Sequence, residues 1–359
     1  MKTKTMTLIL AAAALIGMAA ACTNDDNAVA VDNNAPVPAR ITAGMADAAV
    51  ATPAAKAGQP ATRAVNDRWN RDHIGVVVYE SPVSDMAARY RNAHYVTTST
   101  GTTAEFAPAD AANTIYFADA DETVEFWAYA PYQPSASPGE LPGTDGVITI
   151  DATRQTTAEE QEALDFIVST NGATASKSSP TVRFTRVDPT HDYSFVHIMS
   201  RLVLKIETPA ANGFDPADVE RISGISLNGL CTGGKFDVKV TSGGFWYGAT
   251  RATWTDNWDI AGYVNAVTTT GSVTQRIHTL IFPAQQATSI AGSFRNAVPI
   301  TITLDGLTYT NDRDITGDFK PGTSYEYTIR LKKTGLEVTG ATITDWADGG
   351  TGSGDAMQQ

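Results

Sequence analysis

Hydrophobic and polar positions alternate with a period of two along most of this chain. Val124-Glu125-Phe126-Trp127-Ala128-Tyr129, Val182-Arg183-Phe184, Leu202-Val203-Leu204-Lys205-Ile206 and Phe236-Asp237-Val238-Lys239-Val240 follow the pattern. Ile300-Thr301-Ile302-Thr303-Leu304 and Tyr325-Glu326-Tyr327-Thr328-Ile329-Arg330-Leu331 do so as well. Successive side chains of a strand point to opposite faces, so these runs predict half-buried strands. Ile74-Gly75-Val76-Val77-Val78-Tyr79 is apolar without interruption and predicts a strand buried on both faces. Turn formers separate the runs: Pro138-Gly139, Asp145-Gly146, Asn212-Gly213, Asn228-Gly229, Asp305-Gly306 and Pro321-Gly322. One helix is predicted, where Thr157 and Glu160 make a capping box ahead of Gln161-Glu162-Ala163-Leu164. Many short antiparallel strands joined by tight turns predict an all-β chain of β-sandwiches, and the region after Trp69 is long enough for two. The Ser-, Thr-, Ala-, Asn- and Gly-rich stretch 169–179 is the expected junction, dividing residues 64–175 from residues 176–359.

The chain before Trp69 breaks the pattern. Lys2 and Lys4 precede an apolar run, Leu8–Ala21, that ends in Ala19-Ala20-Ala21-Cys22. A basic start, a short apolar stretch and small residues before a cleavage point predict a secretory signal peptide over residues 1–21. The run has 14 residues, too few to cross a hydrocarbon core of ~30 Å as a helix. A small-residue triplet followed directly by Cys fits bacterial lipoprotein processing, which makes Cys22 the acylated N-terminus. Each buried CH₂ of an acyl chain then contributes ~0.8 kcal/mol to membrane attachment. Residues 22–63 read as a linker or propeptide. Ala, Asn, Asp, Pro and Thr dominate it, and it has too few large apolar residues to offset the entropy of ordering. Within it, residues 37–45 alternate enough for one weak strand. Arg63, in Ala61-Thr62-Arg63-Ala64, presents a basic residue where a protease needs extended, unprotected backbone.

Composition narrows the function. The 359 residues are 42% hydrophobic and 18% charged, with a net charge of −13. Nothing basic and contiguous is left to neutralise phosphates, which disfavours nucleic acid and anionic lipid as partners. Of the two cysteines, Cys22 is taken by the anchor, and Cys231 is expected as a small buried hydrophobe. The five histidines are scattered, with no HExxH spacing, and no GxSxG elbow occurs. His197 alternates with Phe195 and Met199 and is expected in the core. Gly349–Gly354 is followed by no helix and reads as tail rather than phosphate loop. Asp119-Ala120-Asp121-Glu122 lacks the EF-hand frame and reads as a solvated turn, with a weak Ca²⁺ site as the alternative. No catalytic residue, metal or cofactor is therefore expected. Phe245, Trp246, Tyr247, Trp254 and Trp258 fall within 14 residues among Gly, Thr, Asn and Asp. Such rings suit sugar stacking or a protein interface, and they equally suit filling the space between two sheets.

Several segments resemble the fimbrillin family of type V pilins. Trp69 with Asp72-His73-Ile74-Gly75-Val76 is similar to the family's opening motif. Ile115-Tyr116-Phe117 and Val124–Tyr132 are similar to its aromatic segment, and Asp165-Phe166-Ile167-Val168 to the motif after it. Phe195–Leu202, Leu280–Gln285, Phe319–Tyr327 and Val338–Trp346 follow in the family's order. The resemblance implies two tandem transthyretin-like β-sandwiches with Greek-key-type connections, in a lipoprotein exported to the surface of the outer membrane. It implies that Asp25-Asp26 serve the export signal and that lipoprotein-processing machinery acts at Cys22. An Arg-specific protease would cut between Arg63 and Ala64 and remove the strand Pro38–Met45. Other fimbrial subunits would be the partners, a neighbour's C-terminal segment filling the groove by donor-strand exchange. One departure stands out: the tail Ala347–Gln359 is Gly, Ser, Thr and Asp with no apolar alternation, and only Leu336–Ile343 could serve as a donor. A tip adhesin or glycan-binding surface lipoprotein, using the aromatic cluster on host or bacterial surface glycans or proteins, is the alternative to a polymerising subunit.

Overall fold

The computed structural model describes residues 35–44, most of 69–184 and most of 195–345. The chain is all-β, as the alternation predicts. Its first twelve strands are β1 (Val37–Pro38), β2 (Arg40–Gly44), β3 (His73–Glu80), β4 (Tyr90–Val96), β5 (Thr103–Pro108) and β6 (Tyr116–Phe117), then β7 (Thr123–Ala130), β8 (Val147–Asp151), β9 (Ile167–Ser169), β10 (Ala173–Ser176), β11 (Thr181–Arg183) and β12 (Phe195–His197). Nine of these make one sheet in the order β11-β2-β5-β4-β3-β7-β9-β12, with β10 added along β7. Alternation within β7 sends Val124, Phe126 and Ala128 to one core and Trp127 and Tyr129 to others. β3 is buried on both faces: Ile74, Val76 and Val78 point one way, Val77 and Tyr79 the other.

β11 and β12 lie at opposite ends of this strand order, yet they meet. Phe184, directly after β11, and Phe195, in β12, have ring centroids 5.4 Å apart. The sheet therefore curls back on itself around a single interior. Trp69 fills the middle of that interior, edge-on to Phe106 of β5 at 5.0 Å and to Phe195 at 5.4 Å.

The later strands are β13 (Ser200–Glu207), β14 (Ile222–Leu227), β15 (Leu230–Cys231), β16 (Gly233–Thr241), β17 (Gly244–Ala249), β18 (Trp254–Thr255) and β19 (Trp258–Asp259), then β20 (Thr274–Ile281), β21 (Ala297–Val298), β22 (Ile300–Leu304), β23 (Leu307–Thr310), β24 (Ile315–Thr316), β25 (Thr323–Lys332) and β26 (Gly335–Asp345). Two four-stranded sheets, β20-β13-β25-β26 and β19-β14-β22-β23, share one core in which Leu204, Ile206 and Ile329 meet Ile225, Ile302 and Trp258. A further sheet, β17-β16-β8, places Phe236 and Val238 against Tyr129, Val168, Leu280 and Phe282. β8 and β16 thus pair across the junction expected at residues 175/176. That junction falls in β10, and the nine-stranded sheet runs on to His197.

The single α-helix of the described residues, α1 (Ala158–Leu164), begins where predicted. The Thr157 side chain accepts the Glu160 N–H, and the Glu160 carboxylate accepts the Thr157 N–H in return. Gln155 and Gln161 then tie this region to β20. Gln155 Nε2 donates to the Ala152 and Leu280 carbonyls, Gln155 Oε1 accepts from Leu280 N–H, and Gln161 Nε2 donates to the His278 carbonyl. His197 is a paired core histidine, its Nδ1 2.6 Å from Asp165 Oδ1.

Candidate functional site

Of the expected weak strand 37–45, residues 37–44 are described and form β1 and β2, in a place of structural consequence. Val37 and Pro38 pair with Phe117 and Tyr116. β2 then enters between two strands distant in sequence. It runs antiparallel to β5, with Ile41 opposite Phe106 and Gly44 opposite Thr103, and parallel to β11, with Arg40, Thr42 and Val182 in that ladder's register. Further bonds seat its ends and middle. Ala39 N–H donates to Ile115 C=O and Arg40 N–H to Pro180 C=O, both at 2.9 Å. Phe184 N–H donates to Thr42 C=O, and the Thr42 hydroxyl to Val182 C=O, both at 3.3 Å.

The inward side chains of this segment are Ala39, Ile41 and Ala43, all buried, while Arg40 points to solvent. Only Ile41, at 1% exposure, is large. Its burial contributes ~1.5–3 kcal/mol, and the two alanines add little. Main-chain hydrogen bonds therefore supply most of the specific hold on β2. Beneath it lies an aromatic floor. Phe106, opposite Ile41, packs edge-on against Trp69. Tyr95 OH accepts the Ile115 N–H at 3.1 Å, orienting the carbonyl that receives Ala39. Burial pushes the Tyr95 phenol up to about 12, so it stays neutral across any ordinary pH. At the Gly44 end, a groove of about 450 Å³ opens between Thr42–Gly44, Thr103–Glu105, Arg183 and Phe184.

The aromatic stretch is distributed over several environments. Phe245 and Tyr247 lean on the core of β16 and β8, and Phe245 meets Trp127 and Tyr129 edge-on. Trp246, on the opposite face of β17, is 49% exposed. Its indole lies over Gly248, where an added Cβ would come within 3.0–3.2 Å of the ring. Trp258 is 4% exposed and belongs to the β13–β25 core. Trp254 pairs through its backbone with Cys231, and the side chains of both lie outside the described ones. Cys22, Asp25, Asp26, Arg63, Ala64 and the segment 346–359 also lie outside the described residues. Glu122 is ion-paired with Arg89, and Asp121 is outside the described residues. Among the described residues, no group of three or more His, Cys, Asp or Glu comes together to hold a metal ion.

A slot strand held between non-adjacent neighbours, in a curled sheet followed by a two-sheet sandwich, invites comparison with known proteins. The model of the fimbrillin-like family matches residues 62–346. The chain belongs to the fimbrillin-like family. Members of this fimbrillin-like family are structural fimbrial subunits rather than enzymes. A Bacteroides uniformis protein provisionally named fimbrium subunit Fim1C is 26% identical over 295 residues, covering 81% of this chain and 83% of that one. Two crystal structures share the fold, each of a protein provisionally named a cell adhesion protein. The Bacteroides uniformis one has a TM-score of 0.58 at 20% identity, over 88% of this fimbrillin-like chain and 99% of its own. The Bacteroides ovatus one has a TM-score of 0.57 at 23% identity, over 87% and 98%.

Proposed function

We propose that this chain is the lipid-anchored precursor of a cell-surface fimbrial subunit, serving adhesion, that joins its neighbours by strand exchange at the β2 position. The observation that supports this reading best is the seating of β2: a short strand with one large buried side chain, flanked on both sides by strands it does not adjoin in sequence. In this reading residues 1–21 are removed and Cys22 is acylated by the lipoprotein-processing machinery. Asp25-Asp26 mark the chain for the outer surface of the outer membrane. An Arg-specific protease cuts after Arg63, so the mature chain starts at Ala64 and keeps Trp69 but loses β1 and β2. This reading joins two sandwich domains, expected from the sequence at residues 64–175 and 176–359, with β11 and β12 from the second range completing the first sheet.

The vacated position has the features a donor strand needs. The edges of β5 and β11 present unpaired N–H and C=O groups beside an apolar trough floored by Phe106 and Trp69. A strand from another subunit satisfies both, its main chain giving affinity and its alternate side chains giving specificity. Such head-to-tail contacts do not close on themselves and propagate as a fibre. The test is an unheated SDS gel of protein sheared from intact cells, with the Arg63→Ala variant beside it. A ladder of SDS-resistant species, its monomer shortened by roughly the length up to Arg63 and absent in the variant, supports polymerisation. A single near-full-length band that stays with the membrane rejects it.

A second reading is favoured by Trp246. An exposed indole beside a glycine offers a stacking platform for the apolar face of a sugar. β26 is paired with β25 along its length, and the sequence after Trp346 lacks apolar alternation for a donor. Both points suit a non-polymerising tip adhesin or glycan-binding lipoprotein. Glycan binding that is lost in Trp246→Ala with the fold intact supports this reading; binding unchanged in that variant removes it.

A further inference from the structure

Two of the scattered histidines are brought together. His73 opens β3 and His94 lies in β4, where the register sets His73 opposite Val96 and Gly75 opposite His94. The two imidazoles are therefore diagonal neighbours across one antiparallel pair, and Gly75 places no side chain between them. His73 Nδ1 lies 2.9 Å from His94 Nε2, with ring centroids 5.0 Å apart and the planes tilted by 39°. Other elements position the His94 ring and the His73 backbone. His94 stacks on Tyr132 at 3.9 Å with the planes 4° apart, and its backbone N–H donates to Asn113 Oδ1 at 2.8 Å. Tyr132 N–H donates to the His73 carbonyl at 2.8 Å, tying the chain after β7 to the start of β3.

We propose that His73 and His94 together bind one divalent transition-metal ion of the class that imidazole favours, such as Zn²⁺. The facing nitrogens cannot both carry a hydrogen at their present separation, so they share one hydrogen or a metal takes its place. Two Zn–N bonds of about 2.0–2.1 Å at a tetrahedral angle set the nitrogens roughly 3.3–3.4 Å apart. The pair must therefore open by about half an ångström, which the solvent-exposed His73 side chain can supply while Tyr132 keeps His94 in place. Burial, and next the neighbouring His73, hold His94 below the usual imidazole range. Asp110, whose charge acts in the opposite direction on His94, supplies negative charge nearby. It caps the 3₁₀ turn Ala111–Asn113 with Oδ1, accepting from Ala112 N–H, Asn113 N–H and Asn113 Nδ2. No third His, Cys, Asp or Glu completes the set among the described residues, so water occupies the remaining coordination positions. Bound metal joins β3 to β4 and stabilises the folded chain by mass action, because the unfolded chain does not hold the two rings together.

The experiment is a titration of the untagged full-length protein with ZnCl₂ in a non-coordinating buffer, read by calorimetry and by thermal unfolding. One saturable Zn²⁺ per chain and a raised Tm are expected. Binding should weaken at least tenfold in His73→Asn and in His94→Phe, the second of which keeps an aromatic ring on Tyr132. An isotherm unchanged in the double variant assigns the metal elsewhere and overturns the proposal, as does absence of binding by the parent protein. A measurement on the parent protein alone guards against variants that fail to fold. Zn²⁺ should protect His73 and His94 from diethylpyrocarbonate, read by mass spectrometry, and equal labelling with and without Zn²⁺ refutes the site.

Discussion

Trp246 and Trp258 belong to one short stretch of sequence and to two different environments. Trp258 fills the interior between the β13 and β14 sheets, so Trp258→Ala removes a full core side chain and should cost ~3–5 kcal/mol. Trp246 faces water, and Trp246→Ala should change stability by no more than ~1 kcal/mol. Urea unfolding of the two variants against the parent checks the contrast. His278, in β20, carries a different prediction. Burial, reinforced by Arg201 and Arg276, pushes its imidazole down to about 3, against ~6.5 in an unfolded chain. Between those values the unfolded chain holds a proton that the folded chain does not, so stability falls as pH falls through that window and is unaffected above it. The slope from this one group reaches ~1.4 kcal/mol per pH unit. His278→Gln should remove that component, seen as a smaller drop in urea midpoint from pH 7 to pH 5 than in the parent. At this scale the sequence told which residues form strands and placed His197 in the core. It left open which of five clustered aromatics face inward, because that depends on register with partners far along the chain.

The element of most interest is β2, and its strand character was readable from the alternation of residues 37–45. Its neighbours were not. Alternation declares the two faces of a strand but not its partners, and the parallel match of Arg40–Thr42 with Thr181–Arg183 spans about 140 residues. The pairing of β8 with β16 was invisible for the same reason, whereas the cap of α1 was legible because it is local. Gly75 was missed for another reason. It is needed for close approach rather than for a turn, since a Cβ there would meet the Tyr129 ring at 2.3 Å and Asn92 Oδ1 at 2.6 Å. Ile41 is the single large anchor of β2, so its truncation should loosen that strand alone. Native-state hydrogen exchange of Ile41→Ala should show faster exchange at residues 40–44 with β25 amides unchanged. A chain beginning at Ala64 should bind a peptide of residues 35–45, and the peptide carrying Ile41→Asp should bind at least tenfold more weakly by fluorescence anisotropy. Equal binding of the two peptides would mean that the trough does not read side chains.

For the whole molecule, the curled sheet matters because it brings β11 round to β2. Phe184 and Phe195 close the loop, and without that closure β2 would be an edge strand with one neighbour. If assembly uses this position, excess free peptide of residues 35–45 should compete with incoming subunits and shorten the SDS-resistant ladder in proportion to its concentration. A ladder unchanged at saturating peptide would place the joint somewhere else on the surface.

The two-sided grip on β2 also has a mechanical meaning. A strand at a sheet edge can be peeled away sideways, its hydrogen bonds opening one after another under a small force. β2 has β5 along one side and β11 along the other, which blocks that route. Tension along its axis loads both ladders together, so bonds that each contribute only ~0.5–1.5 kcal/mol must give way at the same moment. Any segment lying in this slot is held in shear, the geometry that lets a non-covalent joint withstand a lengthwise pull.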